Sequence, residues 1–282
     1  MYFFERYNAM KRILIALDLE GVNNVVGTPY SGLVKGCDEW ETARRQAALE
    51  INAAAEALFD NGVECVALWD NHGGGGNIDP ADLDTRVELL SLDNTLERMY
   101  FADRFDCVCF FGYHAMEGTL GGVLAHTMNS VQNQYYKLNG KYIGEIDMDA
   151  YIAASHGLPS CFFCGGDIAC RQAKRAVPDI VTVVTKKELS RNEAVFRDNA
   201  ELLADIRSGI VEAVKRNVTP VTLRFPAKME KSFKRVEDAE KHLHRVRSLG
   251  VDSEHLDDEI LGKDAHTVVS FVYSINDFVK SI

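Results

Sequence analysis

Two acidic residues follow the first apolar run of the chain. The run reads ILIAL over residues 13–17, and Asp18 and Glu20 come directly after it. Side chains two residues apart on a strand point to the same face, so both carboxylates would enter one space. Two carboxylates this close repel each other unless one keeps its proton or a cation neutralises them. The spacing fits either solvated acids at a strand end or ligands of a divalent metal ion.

Two later apolar runs end in a similar way. The stretch ECVALWDNH carries Asp70 and His72 two residues apart, and FDCVCFFGYHA ends in His114. Four glycines at 73–76 follow His72, and they would let the backbone approach a ligand closely. Carboxylates and imidazoles without thiolates suit zinc in a catalytic site, or manganese or cobalt. Three strand ends with metal-competent side chains favour a metal site over unrelated structural residues.

Two further candidates lie downstream. His126 follows a glycine-bounded apolar step in GGVLAHTMNS, and Glu145 stands in YIGEIDMDAY. Glu145 comes just after Asn139-Gly140, which is the strongest short signal for a β-hairpin. The acids at 147 and 149 are suited to the first turn of a helix.

Strands that alternate with helices must position these side chains. Continuous apolar strands in such an alternation indicate a mostly parallel sheet with helices on both faces, which is an α/β fold. The predicted strands span about 12–19, 64–69, 106–112 and 181–184, and a long helix is predicted over about 38–60.

The C-terminal part has a different character. The β-prone stretch PVTLRF at 220–225 precedes a helix with an apolar stripe, RVEDAEKHLHRVRSLG at 235–250. We therefore expect an α/β metal-binding catalytic domain over 1–200 and a smaller C-terminal α+β portion over 201–282. The boundary is placed only within about 190–220.

The composition of the chain argues against some classes of binding partner. The 282 residues carry a formal net charge of -11, which argues against nucleic acid or an anionic membrane surface as the main partner. The start of the chain lacks the pattern of a secretory signal, so the cytoplasm is the expected location. Seven cysteines are present, and the CxxC at 161–164 lies in a strand-like run, where core packing is expected. No HExxH, GxSxG, P-loop or GxGxxG motif occurs.

Taken in order, the motifs DLEG, DNH, GYHA, HTM and GE…DAY resemble those of the DppA-type D-aminopeptidase family of binuclear zinc metallopeptidases. The resemblance runs from about residue 11 to about 174. It implies two zinc ions per chain, and His126 as the catalytic residue. The ligands that it implies are Asp18, which would bridge the ions, with Glu20, His72, His114 and Glu145.

The resemblance also implies a function. We expect a zinc-dependent aminopeptidase that hydrolyses the N-terminal residue of short peptides or amides, with D-amino-acid peptides as the favoured class. The substrate amine would bind a metal ion or an acid such as Asp70. A ring-like homo-oligomer, possibly a decamer, is expected. The alternatives are another binuclear metallohydrolase (an amidase or a phosphoesterase) and a non-enzymatic metal-binding assembly protein.

Overall fold

The computed structural model describes residues 10–29, 32–90 and 98–282. Within these ranges the chain forms thirteen strands and six helices, besides short 3-10 turns. In chain order the strands are β1 (Arg12–Leu17), β2 (Cys65–Asp70), β3 (Val87–Leu89), β4 (Cys107–Tyr113), β5 (Asn133–Leu138), β6 (Lys141–Tyr142), β7 (Ser160–Gly165), β8 (Val181–Val184), β9 (Lys186–Ser190), β10 (Glu193–Phe196), β11 (Ala227–Phe233), β12 (Ser253–Asp258) and β13 (Gly262–Val272). The helices are α1 (Asp38–Asp60), α2 (Glu145–Ser155), α3 (Asp167–Ala176), α4 (Asn199–Lys215), α5 (Val236–Ser248) and α6 (Ile275–Ser281).

The main sheet has six strands in the order β3-β2-β1-β4-β7-β8. Every neighbouring pair in it is parallel. The chain runs from β1 outward to β2 and β3, and then crosses to the other side of β1 to form β4. Open α/β sheets bind ligands at such a reversal of strand order, outside the carboxyl ends of the strands. The candidate residues after β1, β2 and β4 therefore meet at this point.

Two pairs of helices pack on this sheet, α1 with α4 and α2 with α3. Every residue of β4 and β7 is buried, as expected for strands that are covered on both faces. Helix α1 has the predicted bounds, and the Sγ of Cys37 accepts a hydrogen bond from the backbone N–H of Trp40 at its start. The predicted α/β fold class is confirmed.

The second sheet has five strands in the order β12-β13-β11-β5-β6, and its pairs are antiparallel. The hairpin predicted at Asn139-Gly140 is confirmed as the turn between β5 and β6. The stretch 220–225 forms no strand, since the strand begins after it as β11. Prolines at 220 and 226 remove backbone donors on both sides of that stretch. The division of the chain near residue 200 stays a prediction.

The described helices include none that is long and apolar enough to cross a membrane. The cysteines are free, and Cys161 and Cys164 are fully buried in β7. This confirms that the CxxC belongs to the core of the sheet.

Candidate metal centre

Asp18 and Glu20 lie where β1 leaves the sheet, beside the end of β4. The backbone N–H of Asp18 donates to the carbonyl of Phe111 at 2.8 Å, and that of Gly21 donates to Gly112 at 2.6 Å. A Cβ at Gly112 would lie 1.9 Å from the carbonyl oxygen of Asp18, and one at Gly21 would lie 2.1 Å from that of Tyr113. Only glycine fits at both positions, so these two residues let the end of β1 approach β4.

The carboxylate of Asp18 lies between two imidazoles. Its Oδ1 is 2.8 Å from Nδ1 of His72, and its Oδ2 is 3.3 Å from Nε2 of His114. Glu20 Oε2 is 3.1 Å from the same Nδ1 of His72. The two oxygens of one carboxylate thus face two different clusters of ligand atoms. Such a carboxylate could serve as a ligand through either of its oxygens.

His114 is held so that one nitrogen faces the cluster. Its Nδ1 lies 2.9 Å from the carbonyl of Ala115, which makes Nδ1 the protonated nitrogen of the neutral ring. Its Nε2 is buried and makes no hydrogen bond within the described residues, although Glu145 Oε1 lies 3.4 Å away. A metal-ligating histidine typically donates its other ring N–H to a carbonyl in this way.

His72 begins the glycine-rich loop after β2. Asn77 Nδ2 donates both to the carbonyl of His72 at 2.8 Å and to Asp70 Oδ1 at 2.9 Å. Asp70 Oδ2 accepts from the backbone N–H groups of Asn77 and Ile78. The buried Asp70 carboxylate therefore closes this loop and does not face the cavity. The hypothesis that it receives a substrate amine was wrong.

Glu145 and His126 complete the cluster. Glu145 is the first residue of α2, and its Oε1 accepts from the backbone N–H of Met128 at 2.7 Å. The rings of His126 and His114 are stacked, with centroids 3.9 Å apart. Nδ1 of His126 lies 2.9 Å from the carbonyl of Leu124, so its Nε2, 3.9 Å from Glu145 Oε1, faces the cluster. The structure thus brings together all six residues that the sequence singled out.

Neighbouring charges shift the pKa of two imidazoles and one carboxylate in this buried cluster. Burial alone would lower the pKa of His72, but Glu20 and Asp18 raise it to about 11. Burial opposes protonation of His114 as well, yet Glu145 and Asp18 raise its pKa well above the usual value. Burial would raise the pKa of Asp18, but the two imidazoles hold it well below its usual range. A divalent cation would take the place of these protons.

A cavity of about 400 Å³ opens onto the cluster. Arg98 lines it, and its Nε and Nη2 each donate to Asp149 at 2.9 Å. Tyr113 donates to the same carboxylate at 2.7 Å, and Asn71 Nδ2 lies 3.1 Å from the Tyr113 hydroxyl. Nothing in the sequence places Arg98 in the site, because no motif connects it to Asp149, 51 positions away.

A buried lysine supports the cluster from behind. The Nζ of Lys186 donates to the carbonyls of Glu20, Val22 and Val25, at 2.5–2.9 Å. Burial lowers its pKa to about 8. Lys186 therefore holds the segment that carries Glu20. In the sequence, Lys186 is visible only as a lysine at the end of an apolar run.

The residues present fit bound zinc. Ligand atoms of Asp18, Glu20 and His114 lie close together, as do those of His114, His126 and Glu145, and the buried Nε2 of His114 makes no hydrogen bond within the described residues. His72 adjoins the first group through Asp18 and Glu20. Mixed oxygen and nitrogen ligands without thiolate are typical of catalytic zinc sites. The fold and this cluster define the class of the molecule, a doubly wound α/β protein with a carboxylate–imidazole cluster that could hold metal ions.

Comparison with known sequences makes the assignment specific. The profile of the M55 peptidase family, described as D-aminopeptidase, matches residues 10–251. The chain therefore belongs to the M55 family of D-aminopeptidases. The resemblance seen in its motifs is confirmed.

Two relatives are known in more detail. A D-aminopeptidase of Bacillus subtilis (strain 168) is 28% identical over 184 residues, which is 64% of this chain and 65% of the relative. The solved structure of the Zn-dependent D-aminopeptidase DppA from Bacillus subtilis, described as a self-compartmentalizing protease, has a TM-score of 0.81. That match covers 96% of this chain and 94% of DppA at 22% identity, and it shows a shared fold.

Proposed function

We propose that this chain is a zinc-dependent aminopeptidase that removes the N-terminal residue of short peptides, preferentially a D-amino acid. The observation that carries the proposal is the Asp18 carboxylate, whose two oxygens face His72 and His114 separately. Membership of the D-aminopeptidase family and the zinc dependence of DppA support the choice of metal and reaction.

Two zinc ions per chain are proposed, with Asp18 shared between them. Glu20 and His72 would hold one ion, and His114 and Glu145 would hold the other. When bound, paired zinc ions lower the pKa of a water molecule and polarise the carbonyl of the scissile bond. The three carboxylates also provide most of the negative charge that a buried pair of divalent cations needs.

His126 is the proposed catalytic residue. Because its Nδ1–H faces the carbonyl of Leu124, its Nε2 is the basic nitrogen on the cavity side. This nitrogen can accept a proton from the attacking water as the new C–O bond forms. It can then return the proton to the leaving nitrogen as the C–N bond breaks, which is general acid–base catalysis.

The test compares two variants with a matched control. Glu145→Ala is expected to lose one zinc ion per chain and most activity on D-alanyl peptides. His126→Ala is expected to keep both ions, while kcat falls by a factor on the order of 10²–10⁴. His156→Ala removes an exposed histidine at the end of α2 and should change neither property. Unchanged metal content in Glu145→Ala would refute the ligand assignment, and loss of an ion in His126→Ala would make His126 a ligand.

A phosphoesterase is the second candidate, because Arg98 and Arg191 both line the cavity. Asp149 already neutralises Arg98, so of these two arginines only Arg191 has its charge available for a phosphate group. Turnover of a generic phosphodiester at a higher kcat/KM than D-alanyl-D-alanine would favour this candidate. Stoichiometric zinc without turnover of either substrate would favour a non-enzymatic assembly protein.

A homo-oligomer, and specifically a decamer, is proposed as the working form. The description of DppA as self-compartmentalizing supports it, as do exposed apolar side chains such as Leu120 (97% exposed) and Ile260 (92%). Native mass spectrometry would measure the number of chains directly. A monomer at micromolar concentration would contradict the proposal. The cytoplasmic location stays a prediction.

A further inference from the structure

Arg191 projects from a hairpin tip that is fixed at the rim of the cavity. It lies in the turn between β9 and β10, and its carbonyl accepts from the backbone N–H of Leu124 at 2.8 Å. On the other side of the tip, Asn192 Nδ2 donates to the carbonyl of Val26 at 2.9 Å. These contacts hold the hairpin between the loop that carries Glu20 and the loop that carries His126.

The guanidinium of Arg191 lies next to the proposed catalytic residue. Its Nη1 donates to the carbonyl of Ala125 at 2.6 Å, directly before His126 in the chain. A guanidinium has five N–H donors in a planar fork, so one such bond leaves several for a ligand. Arg191 also lines the cavity that opens onto the metal centre.

The two arginines of the cavity differ in how their charge is neutralised. Arg98 forms a bidentate pair with the buried Asp149. Arg191 forms no ion pair with any acid in the described part of the chain, and the group to which it donates there is the uncharged carbonyl of Ala125. The positive charge of Arg191 is therefore available to an anionic group of a ligand.

We propose that Arg191 binds the C-terminal carboxylate of the peptide substrate and makes the enzyme prefer free peptides to their amides. The inference rests on the proposed aminopeptidase function. If the amino end of a short peptide is at the metal centre, its carboxylate lies toward the cavity mouth, up to about 3.5 Å farther for each added residue. A planar fork that accepts a carboxylate through two parallel hydrogen bonds suits that position.

The experiment compares D-alanyl-D-alanine with D-alanyl-D-alaninamide, which lacks the negative charge. Products are separated by chromatography, and kcat and KM are measured for the zinc-loaded protein and its variants. We expect the unmodified protein to have a KM for the free dipeptide about tenfold lower than for the amide, as a partly exposed charged hydrogen bond would give. Arg191→Met should raise the KM for the free dipeptide about tenfold and bring the two KM values together.

Two further variants separate recognition from folding. Arg191→Lys keeps the charge without the fork, and it should retain part of the preference. Lys187→Met removes an exposed cation from the same hairpin and should keep the full preference. A structural role for Arg191, through the carbonyl of Ala125, would lower kcat for both substrates equally and leave their KM ratio unchanged. That result would overturn the inference.

Failure of the proposed function has a different signature. If the zinc-loaded protein hydrolyses neither substrate, the aminopeptidase assignment fails and the role of Arg191 fails with it. If both are hydrolysed and Arg191→Met keeps the ratio, only the role of Arg191 is refuted.

Discussion

The two imidazoles on either side of Asp18 are held in different ways. His114 follows a fully buried strand, its side chain is 2% exposed, and its ring is stacked on His126. His72 follows β2 into a glycine-rich loop, and its side chain is 15% exposed. The loop depends on Asp70 and Asn77 for its shape. One half of the proposed metal pair is therefore built into the core, and the other half is built on its rim.

The two proposed ions therefore need not be equivalent. A ligand in the core is kept in place by packing on every side, whereas a ligand on a loop is kept by a few hydrogen bonds. Regions with few buried contacts open at lower free energy than the core. We expect the ion near His72 to bind more weakly and to exchange faster than the ion near His114.

The largest expected effect comes from removing the residue common to both halves. Asp18→Ala should abolish binding of both ions and lower kcat/KM by a factor on the order of 10⁴, as losing a central catalytic group does. Metal analysis of the purified variant, together with its kinetics, checks this. Asp103→Asn changes an exposed acid and serves as the control. Retention of one full ion in Asp18→Ala would mean that Asp18 does not bridge.

The next experiment removes one histidine of the proposed metal pair at a time. His72→Ala and His114→Ala should each retain about one zinc ion per chain, and each should lose most activity because both ions are needed. In the unmodified protein, a chelator should remove zinc in two phases. His72→Ala should lack the fast phase, and His114→Ala should lack the slow one. A single phase in all three proteins would show that the halves are equivalent.

A smaller effect is expected when the loop is loosened without removing a ligand. Asn77→Ala deletes the side-chain bonds to Asp70 and to the carbonyl of His72. Outer contacts of this kind typically contribute 10–100-fold to metal affinity, so the weaker zinc site should lose about that factor. A zinc titration monitored by calorimetry resolves the two sites. Asn52→Ala, which removes loop contacts at Asp82 and Asp84 instead, should leave both affinities intact.

The smallest expected effect is the change in zinc affinity over one pH unit. In the metal-free cluster the pKa of His72 is raised to about 11, so its ring is doubly protonated at pH 7, and the pKa of His114 is shifted in the same direction. Zinc must displace the added proton of His72, so affinity at that site should rise about tenfold per pH unit between pH 6 and 8. Calorimetry in buffers of different ionisation enthalpy should detect about one proton released as that site fills. His72→Ala should release one proton fewer than the unmodified protein, and no release at all from the unmodified protein would contradict the geometry.

Much of the fold could be predicted from local patterns. Helix α1 and strand β8 have the bounds that their apolar patterns predict, and the Asn-Gly turn forms the expected hairpin. The spacing of apolar residues and the residue types of a turn are properties of neighbouring residues, so they can be read directly from a sequence. The stretch 220–225 has β-prone residues but forms no strand, because prolines bound it.

The six candidate residues were also proposed from the sequence, four of them (Asp18, Glu20, His72 and His114) at strand ends and the whole set from its resemblance to the D-aminopeptidase family. Parallel strands place their carboxyl ends at one edge of a sheet, so polar residues just after those ends are brought together by topology. What the sequence could not reveal was how these residues divide into two groups around Asp18. That division depends on the strand order and on the contact between Gly21 and the end of β4.

The sequence by itself determined which side chains are available for metal chemistry and which edge of the sheet they reach. Only the tertiary structure decided that Asp70 closes a loop, that Arg98 is neutralised by Asp149, and that Arg191 faces the cavity without an acidic partner among the described residues. The physical reason is the distance along the chain between the residues that interact. Secondary structure and strand ends follow from neighbouring residues, whereas the charge that remains available in a cavity depends on pairs that meet only when the whole chain has folded.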